Sequence, residues 1–282
     1  MKSTMKKNSL LALLWLLAVP LLFSACTADG GKRGLTADAA PVLQSILEKG
    51  EIVVGTAGDM PPLNMTVKSG KVVGLEPELA EYIADAMGVR LKLKTMSFSE
   101  LLPALEAGRV DIIISGMTIT PKRNLKVAFV GPYFLSGKCV LTKDKALAEA
   151  DEASDINRPE IKLAALKGST SALFVEELIP KAQLVPAKNY DQAVDMVLDN
   201  KVNALIGDYP ICVVSLLRYP DRGLTSVVSL LTQEPLGIAL PGNDPLFVNW
   251  MNNFLQNLQS NGILDDLKEY WFDSGHWLKE LP

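Results

Sequence analysis

The sequence is poor in the residues from which most catalytic and metal centres are built. Its 282 residues include one histidine and three cysteines. That excludes most zinc sites and leaves His276 as the only histidine open to a histidine-based triad. No CxxC pair occurs, no GxGxxG follows a strand, and no GxxxxGK(S/T) is present, so redox, dinucleotide and P-loop signatures are missing. Basic residues do not predominate: 28 Lys plus Arg face 32 Asp plus Glu, a formal charge of -4, with no clustered basic face to suit nucleic acid. Beyond the first 25 residues no apolar run is long enough to cross a bilayer, which argues against a fused membrane sensor.

What is present begins at the N-terminus. Lys2, Lys6 and Lys7 precede an apolar stretch over residues 10–19, followed by Pro20 and small residues. Basic, apolar and small segments in that order make a secretory signal peptide over residues 1–25. It ends Leu22-Phe23-Ser24-Ala25-Cys26, which resembles the bacterial lipobox with Phe23 in the usual leucine position. Cys26 is therefore the expected lipidation site, anchoring the exported protein to a membrane without spanning it. Residues 26–46 read as a tether, flexible over TADGGKRG at 27–34. Much of the mean hydropathy of +0.19 sits in the leader. Without its three lysines, 25 basic and 32 acidic residues remain, a formal charge of -7. In an oxidising compartment Cys139 and Cys212 are free to pair, but their spacing does not decide it.

From Glu51 onward strand-like and helix-like segments alternate. Strands are expected at residues 52–54, 91–94, 112–114, 162–166, 184–185 and 204–206. Helices are expected at 76–87, from a Ser99 cap through 107, from a Ser169 cap through 178, at 191–198 and at 209–217. Residues 146–160, polar and without an apolar period, read as a surface excursion. Such alternation gives βαβ units and an α/β fold of mostly parallel sheets, whose ligands bind beyond the carboxyl ends of the strands. That rule singles out the loops at 56–63, 115–123, 167–170 and 207–209.

In Ser115-Gly116-Met117-Thr118-Ile119-Thr120-Pro121-Lys122-Arg123, backbone N–H groups and hydroxyls precede a capped helix start, and Arg123 adds a bidentate clamp for a carboxylate. Ser169 and Thr170 repeat strand, glycine, hydroxyl and helix. Asp208 ends another strand. Singly, the first segment reads equally as a loop with ordinary caps and a solvated arginine, and the other two read by default as helix caps. Together they fit a zwitterion, with its carboxylate on Arg123 and its amine on Asp208.

Gly74-Leu-Glu-Pro-Glu-Leu-Ala, Phe98 with residues 102–108, the run from Val110 through Arg123, FVGPYFLSG at 129–137 and Tyr270-Trp271-Phe272 carry a resemblance. The chain resembles the family 3 extracellular solute-binding proteins, the polar amino-acid receptors of ABC importers. The resemblance implies a two-lobed type II binding-protein fold with two hinge strands, near Gly137 and residues 231–234. Residues 47–136 and 235–282 would form lobe 1, and residues 137–234 lobe 2. It further implies that Met60, Phe98, Ser115, Gly116, Thr118, Arg123, Ser169, Thr170 and Asp208 line the ligand site. No catalytic residue, cofactor or metal is implied. A monomer working with a permease is expected. Met60 and Leu63 replace rings that often stack on the ligand, and Ala57 stands where some relatives have an acid, so a less polar side-chain pocket is expected. Relatives of cyclohexadienyl dehydratase supply the alternative reading, with Glu234 as the nearest positioned acid.

Overall fold

A computed structural model describes residues 40–149, 153–227 and 232–282. The leader, Cys26, the 27–34 tether and Leu231 lie outside these residues. In chain order the elements begin with α1 (Pro41–Lys49), β1 (Glu51–Thr56), β2 (Asp59–Met60), β3 (Asn64–Thr66), β4 (Val72–Val73), α2 (Leu75–Met87) and β5 (Arg90–Thr95). Next come α3 (Phe98–Glu106), β6 (Ile112–Ile113), α4 (Pro121–Asn124), β7 (Ala128–Ser136), β8 (Lys138–Thr142), α5 (Lys145–Ala148) and α6 (Ala153–Ile156). They continue as β9 (Lys162–Leu166), α7 (Thr170–Leu178), β10 (Gln183–Ala187), α8 (Tyr190–Leu198), β11 (Ala204–Asp208) and α9 (Tyr209–Arg218). The chain ends with β12 (Thr225–Val227), β13 (Glu234–Leu240), α10 (Pro245–Ser260), α11 (Ile263–Asp273) and a 3-10 turn, His276–Glu280.

Two five-stranded sheets flanked by helices follow, ordered β5-β1-β6-β13-β7 and β10-β9-β11-β8-β12. Each has a parallel trio, made by the βαβ units, and antiparallel pairings where the chain crosses between sheets. The first crossing is Gly137, between β7 and β8; the second returns the chain through Thr232 into β13. Lys138 N donates to Thr232 Oγ1 at 3.3 Å, tying the two crossings side by side. The carboxyl ends of β1, β6, β9 and β11 therefore carry the loops named above.

Two local assignments need correction. Helix α3 starts at Phe98, capped by Ser97 in a capping box with Glu100, rather than at Ser99. The tether expected through residue 46 also gives way to α1. Pro41 opens that helix, Asp244 Oδ2 accepts the N–H groups of Val42 and Leu43 at 2.9 Å each, and Ile46 is buried. Within the 146–160 excursion the described residues include the single turns α5 and α6. His276 is exposed, hydrogen-bonded to Ser274 Oγ, and Trp250 stacks on Phe254 along α10 with ring centroids 5.3 Å apart.

Cys139 on β8 and Cys212 on α9 form a disulfide with Cα atoms 6.5 Å apart. It closes a loop spanning 73 positions, which limits the unfolded chain. The Cys139→Ala/Cys212→Ala variant is expected to lose roughly 2–4 kcal/mol in urea unfolding. An unchanged midpoint would show that the bridge adds nothing to the stability of the fold.

Candidate functional site

The first-lobe wall of the site is held by one buried carboxylate. Glu76, in the first turn of α2, is 1% exposed. Its oxygens accept from Gly116 N at 2.7 Å, Asn64 Nδ2 at 2.6 Å and the Tyr133 hydroxyl. Burial pushes the Glu76 carboxyl above its ordinary range, against the pull of these three donors, and burial beside Glu76 pushes the Tyr133 phenol well up. Asn64 passes the order on, its Oδ1 accepting from Gly58 N at 2.7 Å and Asp59 N at 3.1 Å. Ser115 Oγ accepts from Ala57 N at 2.8 Å. Gly116 sits at φ +57° with the Met60 sulfur in the space a Cβ would take, so a side chain there would collide. Because Gly116 N–H is bound to Glu76, it is not among the donors left for an anion.

Arg123 rises from the short helix α4. Thr120 caps that helix by accepting from Arg123 N at 3.2 Å, and Pro121 fixes its first turn. The guanidinium donates to Thr118 O at 2.8 Å and, across to the second lobe, to Gly168 O at 3.1 Å. It also lies 5.6 Å from the centroid of the Phe98 ring. Burial pulls its pKa down while Asp208 and Glu234 oppose that shift. Two of five guanidinium N–H donors meet carbonyls, and the others take no partner among the described residues, leaving a fork for a carboxylate.

The second lobe presents a buried charge network. Lys138 Nζ, on a side chain 1% exposed, lies 2.8 Å from Asp208 Oδ1 and 3.3 Å from Glu234 Oε2. It donates to Thr170 Oγ1 at 2.7 Å, and that hydroxyl donates to Glu234 Oε2 at 3.0 Å. Thr232 Oγ1 donates to Glu234 Oε1 at 2.9 Å, and Tyr190 OH to Asp208 Oδ2 at 2.7 Å. Burial, then the neighbouring Asp208, pushes the Tyr190 phenol well up and keeps it a donor. Asp208 therefore does not cap α9; its carboxylate turns inward instead. Ser169 does cap α7, accepting from Ala172 N at 3.1 Å. One ammonium between two carboxylates leaves this network with a net charge of -1 to offer a ligand.

All nine residues expected from the sequence line one pocket: Met60, Phe98, Ser115, Gly116, Thr118, Arg123, Ser169, Thr170 and Asp208. Asp59, Leu166 and Tyr190 complete it. Contacts across the lobes draw it tight: Arg123 with Gly168, Thr118 Oγ1 with Thr170 Oγ1 at 3.4 Å, and Asp59 Oδ2 accepting from Tyr190 N at 3.0 Å. The remaining volume is about 10 Å³, enough for about one water, so the lobes must part to admit a larger molecule. Beside it, past Phe98 and Arg123, a cavity of about 410 Å³ opens between α3 and α7.

Sequence reasoning missed Lys138, Tyr190, Asp59 and the supporting Glu76. A signal existed for Lys138, a lone charge opening the run Cys-Val-Leu in a strand buried along its whole length. Glu76 stood inside a quoted motif but without an assigned role. Nothing local marked Tyr190, and the strand-end rule singles out the 56–63 loop without picking Asp59 from it.

Residues 52–274 match the bacterial extracellular solute-binding proteins, family 3. The chain is 29% identical over 283 residues to the ABC transporter glutamine-binding protein GlnH of Bacillus subtilis, covering 99% of each chain. It is 24% identical over 253 residues to cyclohexadienyl dehydratase of Pseudomonas aeruginosa, covering 88% of this chain and 92% of that one. Among solved structures, a binding component of an ABC transporter from Wolinella succinogenes, complexed with lysine, is 37% identical with a TM-score of 0.76. That match covers 82% of this chain and 99% of the other. With the motifs, the two-sheet architecture and the interlobe pocket in agreement, this chain belongs to the family 3 bacterial extracellular solute-binding proteins.

Proposed function

We propose that the protein is the extracytoplasmic substrate-binding component of an ABC importer and that it clamps a free amino acid between its lobes. The observation that carries this reading is the charge arrangement of the pocket. A guanidinium with donors unpartnered among the described residues faces, in one cavity, Asp208, whose network with Lys138 and Glu234 behind it has a net charge of -1. A carboxylate on Arg123 and an ammonium at Asp208 satisfy both. Asp208 keeps capacity for that ammonium, because each oxygen has a second lone pair beyond the bonds to Lys138 and Tyr190. Ser169 adds a hydroxyl donor from the second lobe, whereas the Thr170 hydroxyl is already given to Glu234 and lines the pocket as an acceptor. Closure draws ligand groups on both lobes together, so ligand binding selects the closed arrangement.

In this reading, residues 47–136 and 235–282 form the first lobe, with α1 packed beside them, and residues 137–234 form the second. The leader exports the chain and lipidated Cys26 holds it at the membrane, where a monomer delivers its ligand to a permease.

The dehydratase alternative needs a carboxylic acid that can give up a proton. Both oxygens of Glu234 already accept hydrogen bonds, from Thr170 and Thr232, beside the Lys138 ammonium. That occupancy favours the receptor. The protein incubated with prephenate is expected to yield no phenylpyruvate.

A thermal-shift panel of the twenty amino acids tests the main reading. A cognate ligand at 100 times its Kd adds about 2.7 kcal/mol. For a chain of this size that raises Tm by roughly 5–10 °C. A flat panel would reject the amino-acid receptor.

A further inference from the structure

We infer that Asp59 is the side-chain selector of this pocket and that the ligand it selects carries a second, cationic group. The inference rests on the amino-acid reading above and names the ligand class within it. Asp59 lies on β2 and lines the pocket beside Met60. Its Oδ2 accepts from Tyr190 N at the start of α8, on the opposite lobe. Its Oδ1 is buried and has no hydrogen-bond partner among the described residues. A buried carboxylate oxygen without a donor is costly, and a donor brought by the ligand removes that cost.

Charge bookkeeping points the same way. An amino acid's carboxylate is matched by Arg123 and its α-amine by the network of net charge -1. Asp59 is the charge left over. No Lys or Arg among the described residues forms an ion pair with it. Arg218, which shares a second small cavity with Asp59, is held by Asp191 Oδ1 at 3.0 Å. Met60 and Leu63 suggest an apolar subsite, but Met60 packs on Gly116 and Leu63 is fully buried, so the polar group facing the pocket from this loop is Asp59. A lysine-, arginine- or ornithine-like side chain supplies the missing donor and the missing charge.

The ionisable and charged groups around Asp59 all oppose its ionisation or are already engaged. Burial chiefly, then Asp191 on α8, raises its carboxyl to about 6, while the Tyr190 N–H pulls it down. Glu76 on α2 repels it, the Tyr190 phenol is given to Asp208, and Arg218 on α9 is paired with Asp191. A cationic ligand requires the ionised form. Its affinity therefore falls as pH drops through 6, by about tenfold between pH 7.5 and pH 5, because only the ionised fraction is competent.

Titration calorimetry with lysine, arginine, glutamine and methionine at pH 7.5 and 5.0, on the wild type and Asp59→Asn, tests this. The asparagine amide oxygen still accepts from Tyr190 N, so the contact between lobes is kept. Lysine or arginine is expected to bind the wild type at least about tenfold tighter than glutamine or methionine at pH 7.5. Most of that advantage should disappear at pH 5 and in the variant. Tighter binding of the neutral amino acids, a lysine-to-glutamine ratio unchanged by Asp59→Asn, or a pH-independent ratio would each overturn the selector while leaving the receptor intact. Binding of none of the four would count against the receptor reading as well.

Discussion

Replacing Lys138 with methionine is expected to lower the unfolding free energy by about 3–5 kcal/mol at neutral pH. Methionine has a similar stem, so packing against β11 and the hinge is largely retained. What disappears is the ammonium that stands between Asp208 and Glu234, whose side chains are 6% and 10% exposed. Two like charges then share one low-dielectric site, and the Thr170 hydroxyl loses the donor it accepts from. For a chain of this size the loss lowers Tm by roughly 6–20 °C. A second substitution separates repulsion from lost packing. Lys138→Met/Glu234→Gln restores a single carboxylate to the site and should recover a large part of the loss, a coupling that additive packing defects would not show. Equal midpoints in urea for wild type and Lys138→Met would mean that the network contributes nothing net, as an isolated surface pair would.

The same network explains why the sequence revealed one half of the site and hid the other. Local chemistry wrote the strands and helices legibly: the Ser169 cap before α7, the helix at 76–87 that is α2 and the strand at 162–166 that is β9 all follow from neighbouring residues. Where a nearby rival carries the same chemistry, the expected cap lies two residues off, as with Ser99 and the true cap Ser97. The tether was misjudged because α1 depends on Asp244, two hundred positions away. The loop residues of the pocket followed from one rule about strand ends together with the family resemblance. Lys138 did not, because its partner is fixed by sheet register. In the antiparallel ladder β8–β11, Lys138 stands directly opposite Asp208, and Cys139 opposite Gly207. Register between strands seventy residues apart is not local information. Taken singly Asp208 therefore reads as a helix cap, and only the combination of loops points to a ligand's amine; its carboxylate makes no cap bond and belongs to the cross-strand pair and to Tyr190.

The largest expected effect on binding belongs to Arg123. Arg123→Ala should weaken amino-acid affinity by about 3–5 kcal/mol, or roughly a hundredfold to a few thousandfold, because the ligand carboxylate would be left desolvated with no cation to receive it. Stability should change much less. The guanidinium bonds only the carbonyls of Thr118 and Gly168, and one of those bonds exists only while the lobes are together. Arg123→Lys distinguishes charge from geometry. An ammonium keeps the attraction but gives up the planar fork and the stacking on Phe98, so an intermediate loss, on the order of tenfold to a hundredfold, is expected. Calorimetry with the ligand found by thermal shift, alongside urea unfolding of each variant, reads both quantities. Unchanged affinity in Arg123→Ala would place the carboxylate elsewhere and remove the basis for a zwitterion site. Equal losses in the alanine and lysine variants would instead assign the recognition to the fork rather than the charge. The lysine variant has a further use. If the carboxylate is held across the closed lobes, its shorter reach should break the bridge to Gly168 while sparing the charge, and the deficit should appear mainly as faster ligand release.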